Sequence, residues 1–192
     1  MAMTKSIMIV GVGGQGTLLA SRILGNLIVT KGYDLKVSEV HGMAQRGGSV
    51  VTYVRFGEKV HSPIVTMGEA DIILAFEQLE AYRWVPYLKE NGKMIMNSQR
   101  MEPMPVITGA AEYPADISAK LKKYTDSFIE LDALKLAVEA GNAKAVNVVL
   151  IGVMAQDMEF SEEEWTEAIK KTVPEKFVDI NIKAFQAGYH HK

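Results

Sequence analysis

Apolar residues recur along the chain with two different periods. The first apolar run, Ser6–Val10, is short and rich in β-branched residues, which predicts a buried strand. After it, Thr17–Thr30 carries apolar residues at near-helical spacing, and Gly32 follows where a helix would end. A second apolar stretch, Leu35–Val40, predicts another strand. The order strand, glycine turn, helix and strand is the beginning of a βαβ unit.

The same reasoning assigns the rest of the chain. We predict further strands at Ser49–Phe56, Val60–Pro63, Asp71–Phe76, Lys93–Asn97 and Ser127–Leu131. We predict further helices at Glu77–Leu88, Ile117–Tyr124, Asp132–Ala140 and Lys144–Met158, from Ser161 to about Lys171, and from Pro174 to Gly188. Together they predict an α/β fold in a single domain over residues 1–192. Its sheet is Rossmann-like and mostly parallel, with helices on both faces, one β-hairpin and a helical C-terminal region.

Local signals add detail to this outline. The Gly57-Glu58-Lys59 turn makes Ser49–Phe56 and Val60–Pro63 the predicted hairpin. Asn91-Gly92 predicts a turn, and Ser161 followed by Glu164 is the pattern of a capping box. A cluster of methionines, which either fills the core or lines an adaptable interface, comprises Met94, Met96, Met101 and Met104.

Four glycines within six residues follow the first strand, and they carry the strongest candidate chemistry. Gly11, Gly13 and Gly16 match G-x-G-x-x-G, with Gly14 and Gln15 between them. Glycine permits positive φ and close approach to the backbone, and the next helix begins with unpaired N–H groups. The loop therefore favours a phosphate or carboxylate ligand. A turn that only packs strand against helix stays open as the alternative.

Two more segments are expected to lie beside this loop. Glu39 ends the second strand, where an acid contacts the ribose in dinucleotide-binding folds. Arg46, Gly47 and Gly48 precede a strand, and the arginine fork suits phosphate or carboxylate. In a doubly wound sheet both loops lie at the carboxyl edge, near one crevice. We predict a shared anion site there and leave open a solvated loop or a surface for a partner chain.

Composition narrows the chemistry. The 192 residues include no cysteine, so the chain supplies no thiolate for zinc or for an iron–sulfur cluster. The net charge of −2 predicts no nucleic-acid partner, and no apolar run is long enough for a membrane span. The opening MAMTKS lacks a signal-peptide core, so we expect a cytoplasmic location. We identify no catalytic set and no metal site, and the glycine turn lacks the Walker A lysine.

Three stretches resemble a known family. They are GVGGQGTLLASRILG (Gly11–Gly25), SEVHGMAQRGGSVVTYVRFG with VHSP (Ser38–Gly57 and Val60–Pro63), and NVVLIGVMA with NIKAFQAGY (Asn147–Ala155 and Asn181–Tyr189). Nearly end to end, the chain resembles the γ-subunit-type domain of 2-oxoacid:ferredoxin oxidoreductases, and within that family the β subunit of the indolepyruvate type. GxGGQG followed at this distance by HGMAQRGGSV is the most specific part.

The resemblance implies a subunit of a heteromeric enzyme that oxidatively decarboxylates a 2-oxoacid to an acyl-CoA and passes electrons to ferredoxin. It implies an arylpyruvate substrate, with a pyruvate or 2-oxoglutarate enzyme as the alternative. Thiamine diphosphate and iron–sulfur clusters are expected in a larger partner subunit, and coenzyme A is a candidate shared ligand. The chain alone is expected to bind no cofactor and to be inactive. Two other readings stay open: a scaffold subunit without a ligand, and a free-standing oxidoreductase that binds NAD or FAD through Gly11, Gly13, Gly16 and Glu39.

Overall fold

One mixed sheet of six strands forms the centre of the computed structural model, which describes residues 4–42 and 47–191. In chain order the strands are β1 (Lys5–Val12), β2 (Asp34–His41), β3 (Ser49–Gly57), β4 (Ala70–Ala75), β5 (Leu88–Asn97) and β6 (Phe128–Leu131). Across the sheet the order is β2-β3-β1-β4-β5-β6. β1, β4, β5 and β6 are parallel neighbours, whereas β3 is antiparallel to both β1 and β2. The predicted α/β class with a mostly parallel sheet is confirmed.

Eight α-helices surround this sheet in the described residues. They are α1 (Thr17–Thr30), α2 (Gln78–Trp84), α3 (Met104–Ile107), α4 (Ile117–Leu121), α5 (Ala133–Glu139), α6 (Val146–Ala155), α7 (Glu162–Thr172) and α8 (Val178–Tyr189). The predicted capping box forms at the start of α7, with both hydrogen bonds between Ser161 and Glu164 present. In the described part of the chain, no helix combines the length and the apolar character that a membrane crossing requires.

Helices cover both faces of the sheet because strand side chains alternate between them. Ile7 and Ile9 of β1 point to one face, where they join a core built with α1, α5, α6, α7 and α8. Met8 and Val10 point to the other face and join a smaller core with α2 and α4. The sheet is therefore the middle of three layers, and the loops at its carboxyl edge lie where both layers of helices end or begin.

The predicted hairpin is corrected. Val60–Pro63 forms no strand, and β3 pairs with β1 on one side and with β2 on the other. Because both edges of β3 are already paired, no edge remains for a further strand. The amide of Val60 instead donates a hydrogen bond of 2.8 Å to the Asp34 carboxylate. The antiparallel reversal lies between β2 and β3, so the connection over residues 42–48 begins and ends at the carboxyl edge.

The helix and turn predicted ahead of β5 are corrected as well. α2 ends at Trp84 rather than at Leu88, since Pro86 lacks the amide that a continuing α-helix needs; Val85 keeps helical dihedral angles, and Val85–Tyr87 form a 3₁₀ turn. β5 then runs through Asn91-Gly92, where Asn91 has a φ of 62° and the register against β4 shifts. The turn signal in the sequence therefore marks a bulge within a strand.

The backbones of α6 and α8 approach each other at two glycines. A methyl group added to Gly152 would overlap the carbonyl of Phe185, and one added to Gly188 would overlap the carbonyl of Val149. Side chains of α6 are buried over almost its whole length. Glycine is therefore required at both positions of this crossing, because a larger side chain would clash with the backbone of the other helix.

One edge of the sheet is formed by β2. Its outer side pairs with no other strand among the described residues. Two apolar residues of β2, Val37 and Val40, are 43% and 52% exposed. The strand is eight residues long, so this edge presents a long row of backbone groups next to exposed apolar side chains.

Candidate functional site

The glycine turn joins β1 to α1 at the carboxyl edge of the sheet. β1 ends at Val12 and α1 begins at Thr17, as the motif predicts. Gly14 and Gly16 have φ angles of 100° and 86°, which lie in the left-handed region that side chains disfavour. The backbone can therefore leave the strand and enter the helix within four residues only because these two positions lack a Cβ.

Space imposes a second requirement at Gly16. A Cβ at this position would lie 2.7 Å from Nδ2 of Asn147, a residue that is 2% exposed and stands near the start of α6. The same Nδ2 donates a hydrogen bond of 3.2 Å to the carbonyl oxygen of Gly16. Asn147, which belongs to α6 and not to the loop, thus holds Gly16 at the start of α1.

The amino end of α1 has no cap from its own side chains. Gly16 is the N-cap residue and offers no side-chain acceptor, and the first turn contains no acidic residue. α1 is 14 residues long, so its aligned peptide dipoles give this end a partial positive charge. An anion is the ligand that such an uncapped end favours.

Gln15 points inward and braces the turn. Its Oε1 accepts a hydrogen bond of 2.7 Å from the amide of Val12, and its Nε2 donates to the carbonyl of Phe76 and to Oε1 of Gln99, at 3.1 and 3.2 Å. Gly11 makes room for this side chain, because a Cβ there would lie 2.9 Å from Oε1 of Gln15. The loops after β1, β4 and β5 are therefore tied together by one amide side chain.

The second glycine pair lies directly against the first loop. The amide of Gly13 donates to the carbonyl of Gly48 over 2.8 Å, and the amide of Gly47 donates to the carbonyl of Gly13 over 3.4 Å. The two loops thus meet at the carboxyl edge. This contact also occupies the amide of Gly13, so that amide is already hydrogen-bonded within the protein. Arg46 lies outside the described residues.

Glu39 lies across a shallow cleft from the glycine turn. The cleft has a volume of about 370 Å³, and it is lined by Gly13, Gly14, Gly16, Thr17, Leu18, Glu39, His41 and Val50. Oε2 of Glu39 accepts a hydrogen bond of 3.1 Å from the buried hydroxyl of Thr52. The cleft therefore combines an amino helix end that favours an anion with a carboxylate that favours a hydroxyl or an amino group.

The nine residues whose role in ligand binding stays a prediction are Gly11, Gly13, Gly14, Gln15, Gly16, Glu39, Arg46, Gly47 and Gly48. The cleft is also lined by four residues that we did not predict from the sequence, which are Thr17, Leu18, His41 and Val50. His41 carries a usable signal, since it follows Glu39 by two residues on the same strand and so shares its face. Asn147 carries another, as a buried polar residue at the start of an apolar helix.

Two buried carboxylates, also missed from the sequence, lie beside the second glycine pair. Glu77 and Glu80 are 1% and 3% exposed. Glu77 accepts hydrogen bonds from the amides of Glu80 and Met101, both of 3.0 Å, and from the hydroxyl of Tyr113 over 2.5 Å. Burial raises the pKa of the Tyr113 hydroxyl, and the hydrogen bond to Glu77 raises it further. These groups join α2 to the segment that follows β5.

The side chains that could hold a metal ion are described over residues 4–42 and 47–191. Within these ranges, no group of three or more histidine, aspartate or glutamate side chains is placed to hold a metal ion. Glu39 in the cleft accepts a hydrogen bond from the hydroxyl of Thr52, and Glu77, which lies outside the cleft lining, accepts from an amide of α2. The recognisable chemistry of the described site is therefore main-chain and hydroxyl hydrogen bonding.

The fold and the cleft define a class of α/β domain, in which a glycine-rich first turn opens a helix at the carboxyl edge of a mostly parallel sheet. The family model for pyruvate ferredoxin/flavodoxin oxidoreductase matches residues 6–191. The chain belongs to this family, and the family predicted from the sequence is confirmed.

Two curated indolepyruvate oxidoreductase subunits match the chain over nearly their whole length. The chain is 46% identical to indolepyruvate oxidoreductase subunit IorB of Thermococcus kodakarensis over 188 residues, which cover 95% of this chain and 93% of that protein. Identity to the IorB subunit of Archaeoglobus fulgidus is 40%, with 98% and 95% covered. Ketoisovalerate oxidoreductase subunit VorA of Methanothermobacter marburgensis is 30% identical; the match covers 95% of this chain but 35% of that longer one.

Solved structures share the fold. The γ subunit of a keto/oxoacid ferredoxin oxidoreductase from Geobacter sulfurreducens superposes with a TM-score of 0.71 at 24% identity, with 96% of each chain covered. Pyruvate oxidoreductase subunit PORC of Thermotoga maritima gives a TM-score of 0.74 at 18% identity, with 98% and 96% covered. At these identities the agreement concerns the arrangement of the backbone.

Proposed function

We propose that this chain is the small subunit of a heteromeric indolepyruvate:ferredoxin oxidoreductase. In this reaction an arylpyruvate and the thiol of coenzyme A yield an acyl-CoA, carbon dioxide, one proton and two electrons, which pass to ferredoxin. The observation that carries the proposal is the 46% identity to an indolepyruvate oxidoreductase subunit over nearly the whole of both chains. Two further subunits of that name, at 46% and 40% identity, support the same substrate class.

The proposed division of labour assigns the reacting cofactors to a larger partner subunit. Iron–sulfur clusters are held mostly by cysteine thiolates, and this chain has no cysteine. Thiamine diphosphate, in the partner, would supply the carbanion chemistry of decarboxylation. The residues of this chain would then bind and orient, and the chain alone would be inactive.

Coenzyme A is the ligand that we assign to the glycine cleft. The uncapped amino end of α1, opened by Gly16, fits a phosphate group. Glu39 fits a hydroxyl, because one of its oxygens already accepts a hydrogen bond from Thr52 and the carboxylate has capacity for more. Both groups line one cleft with His41. Phosphates and sugar hydroxyls occur together in nucleotide-containing cofactors such as coenzyme A.

The methionine segment is our candidate for contact with the partner subunit. Met94 and Met96 are fully buried in the core, whereas Met104 and Ile107 of α3 are 66% and 62% exposed. α3 follows β5 and so begins near the carboxyl edge. Exposed methionine and isoleucine next to a binding edge are typical of a protein interface rather than of a solvated surface.

The test is to produce the chain together with its thiamine diphosphate-dependent partner. We expect a stable complex that reduces ferredoxin only when indolepyruvate and coenzyme A are both supplied, and no turnover by this chain alone. Activity with pyruvate or 2-oxoglutarate but not with indolepyruvate would keep the family and reject the substrate. Turnover by the isolated chain would reject the division of labour.

A dinucleotide-binding oxidoreductase is the second candidate, and the position of Glu39 across from the glycine turn favours it. A thermal-shift titration of the isolated chain separates the two. A ligand present at 100 times its Kd stabilises the folded state by about 2.7 kcal/mol. We expect stabilisation by coenzyme A and none by NADH; the opposite result would favour the dinucleotide enzyme. No shift with either ligand would favour a scaffold subunit. The hydrogen bond from the amide of Gly13 to Gly48 is compatible with that outcome, because this amide is not free to bind a ligand.

A further inference from the structure

A buried carboxylate on α2 contacts the beginning of β3. Glu80 is 3% exposed, and its Oε2 accepts a hydrogen bond of 2.5 Å from the hydroxyl of Ser49. The same oxygen accepts from Nε1 of Trp84 at 3.3 Å, while Oε1 accepts from Nε of Arg83 at 3.1 Å. Three donors therefore converge on one carboxylate, and the Arg83 guanidinium supplies an opposing charge.

Ser49 links this carboxylate to the loop that contacts the glycine turn. It is the first residue of β3 and lies opposite Val12 in the pairing with β1. The two residues before it, Gly47 and Gly48, exchange hydrogen bonds with Gly13 of the first loop. The glycine pair is thus held from one side by the glycine turn and from the other by the side chain of its neighbour.

A carboxylate is a costly choice for packing alone. Burial of a charged group carries a desolvation penalty that hydrogen bonds and an ion pair only partly offset, and an apolar side chain fills the same space without it. What the carboxylate adds is direction, since a charge-assisted hydrogen bond to a serine hydroxyl is short and strongly oriented. Here the oriented hydrogen bond joins α2 to Ser49, the residue that follows the glycine pair.

We propose that Glu80 is a positioning residue for the ligand of the glycine cleft. Acting through Ser49, it holds Gly47 and Gly48 against Gly13, and Gly13 is one of the residues that line the cleft at the amino end of α1. This inference rests on the proposed binding of coenzyme A in that cleft. It predicts an effect on the binding of coenzyme A, with the step performed in the partner subunit unchanged.

The test uses the assembled heteromeric enzyme and measures KM for coenzyme A, KM for indolepyruvate and kcat. We expect Ser49→Ala and Glu80→Gln each to raise KM for coenzyme A by about fivefold to tenfold, which is the size of effect expected from weakening one ordinary hydrogen bond. KM for indolepyruvate and kcat should stay within twofold of the parent. Ser49→Thr keeps the hydroxyl in a strand position that tolerates β-branching, so KM for coenzyme A should stay at the parent value in this variant.

Trp84→Phe is the matched control. It removes another donor from the same carboxylate without touching the glycine pair, so KM for coenzyme A should not change. An equal rise in Trp84→Phe and Ser49→Ala would overturn the positioning role, because the carboxylate would then matter only for packing. The positioning role would also be overturned if KM for coenzyme A rose as much in Ser49→Thr as in Ser49→Ala.

Gly16→Ala, which alters the cleft itself, separates this inference from the one on which it depends. If Gly16→Ala leaves KM for coenzyme A unchanged, the coenzyme A site is wrong and the positioning role falls with it. If Gly16→Ala raises KM but Ser49→Ala and Glu80→Gln do not, the coenzyme A site stands and the positioning role is wrong. Should Glu80→Gln fail to assemble, Ser49→Ala and Ser49→Thr decide the question between them.

Discussion

Glycine is used in opposite ways at the cleft and at the crossing of α6 and α8. At Gly14 an added Cβ would meet nothing within 4 Å, and the residue is required by a φ of 100°. At Gly152 and Gly188 the backbone is helical, and an added Cβ would overlap a carbonyl of the other helix. The first use leaves space for a ligand, whereas the second brings two backbones into contact. The residue type alone therefore does not indicate a binding site; its conformation and its neighbours do.

The largest predicted effect concerns the helix crossing. Gly152→Ala and Gly188→Ala should each lower the free energy of unfolding by about 3 kcal/mol or more, because the clash is with backbone that cannot move aside. Denaturant unfolding of each variant measures this. Gly25→Ala is the control, since its Cβ would lie 3.2 Å from the end of the flexible Leu35 side chain; it should stay within about 1 kcal/mol of the parent. Equal effects at Gly25 and Gly152 would contradict the contrast.

The next effect divides the cleft glycines. Gly16→Ala should cost about 2 kcal/mol, because the left-handed conformation is strained and the methyl would press on Asn147. Gly14→Ala has the same kind of strain but open space around it, so about 1 kcal/mol is expected. Thermal unfolding of the two variants side by side tests the order. A larger loss at Gly14 would show that space at Gly16 is less restricted than Asn147 implies.

A third prediction concerns the other side of the carboxyl edge, where Tyr113 meets Glu77. Tyr113→Phe should cost about 1.5 kcal/mol at neutral pH, because a buried carboxylate loses a donor. The pKa of Tyr113 is raised in the folded state, so above about pH 10 the unfolded chain releases a proton that the folded chain keeps. The stability due to this group is therefore complete below that pH and is lost as the pH rises. The difference in the free energy of unfolding between the parent and Tyr113→Phe should therefore decrease at alkaline pH. A difference that stays constant up to pH 11 would be evidence against the raised pKa.

The smallest effect provides a reference outside both regions. Ser161→Ala removes one half of the capping box of α7 and should cost about 1 kcal/mol. It should leave the affinity for coenzyme A unchanged, because none of the cleft residues belongs to α7. Chemical unfolding and a coenzyme A titration of this variant show how much a loss of stability by itself alters binding.

The local elements that carry a complete signal in the chain were predictable. α1 begins and ends at Thr17 and Thr30 as expected, since the glycine turn and the apolar spacing are both local. The capping box at Ser161 likewise depends on residues three apart. The hairpin at Val60–Pro63 failed because strand pairing is decided by which distant strands occupy both edges of β3, and no local pattern records that.

The candidate site divides in the same way. The meeting of the two glycine loops followed from the rule that ligand-binding loops gather at the carboxyl edge. Glu80 and Asn147 could not be assigned a role, because each contacts a residue of the loops that is more than 30 positions away in sequence. Likewise, the motif could not show that Gln15 points inward, since its partners Phe76 and Gln99 belong to later strand ends.

The outer strand β2 has a consequence for the life of the protein before assembly. Among the residues that the structure describes, no strand pairs with the outer side of β2; this eight-residue strand with two exposed valines is therefore a template on which another chain can add a strand. A surplus of this subunit over its partner is then a hazard, and its synthesis would need to be balanced with that of the larger chain. Overproduced alone it should form oligomers that grow with concentration, and replacing Val37 and Val40 by lysine should keep it monodisperse.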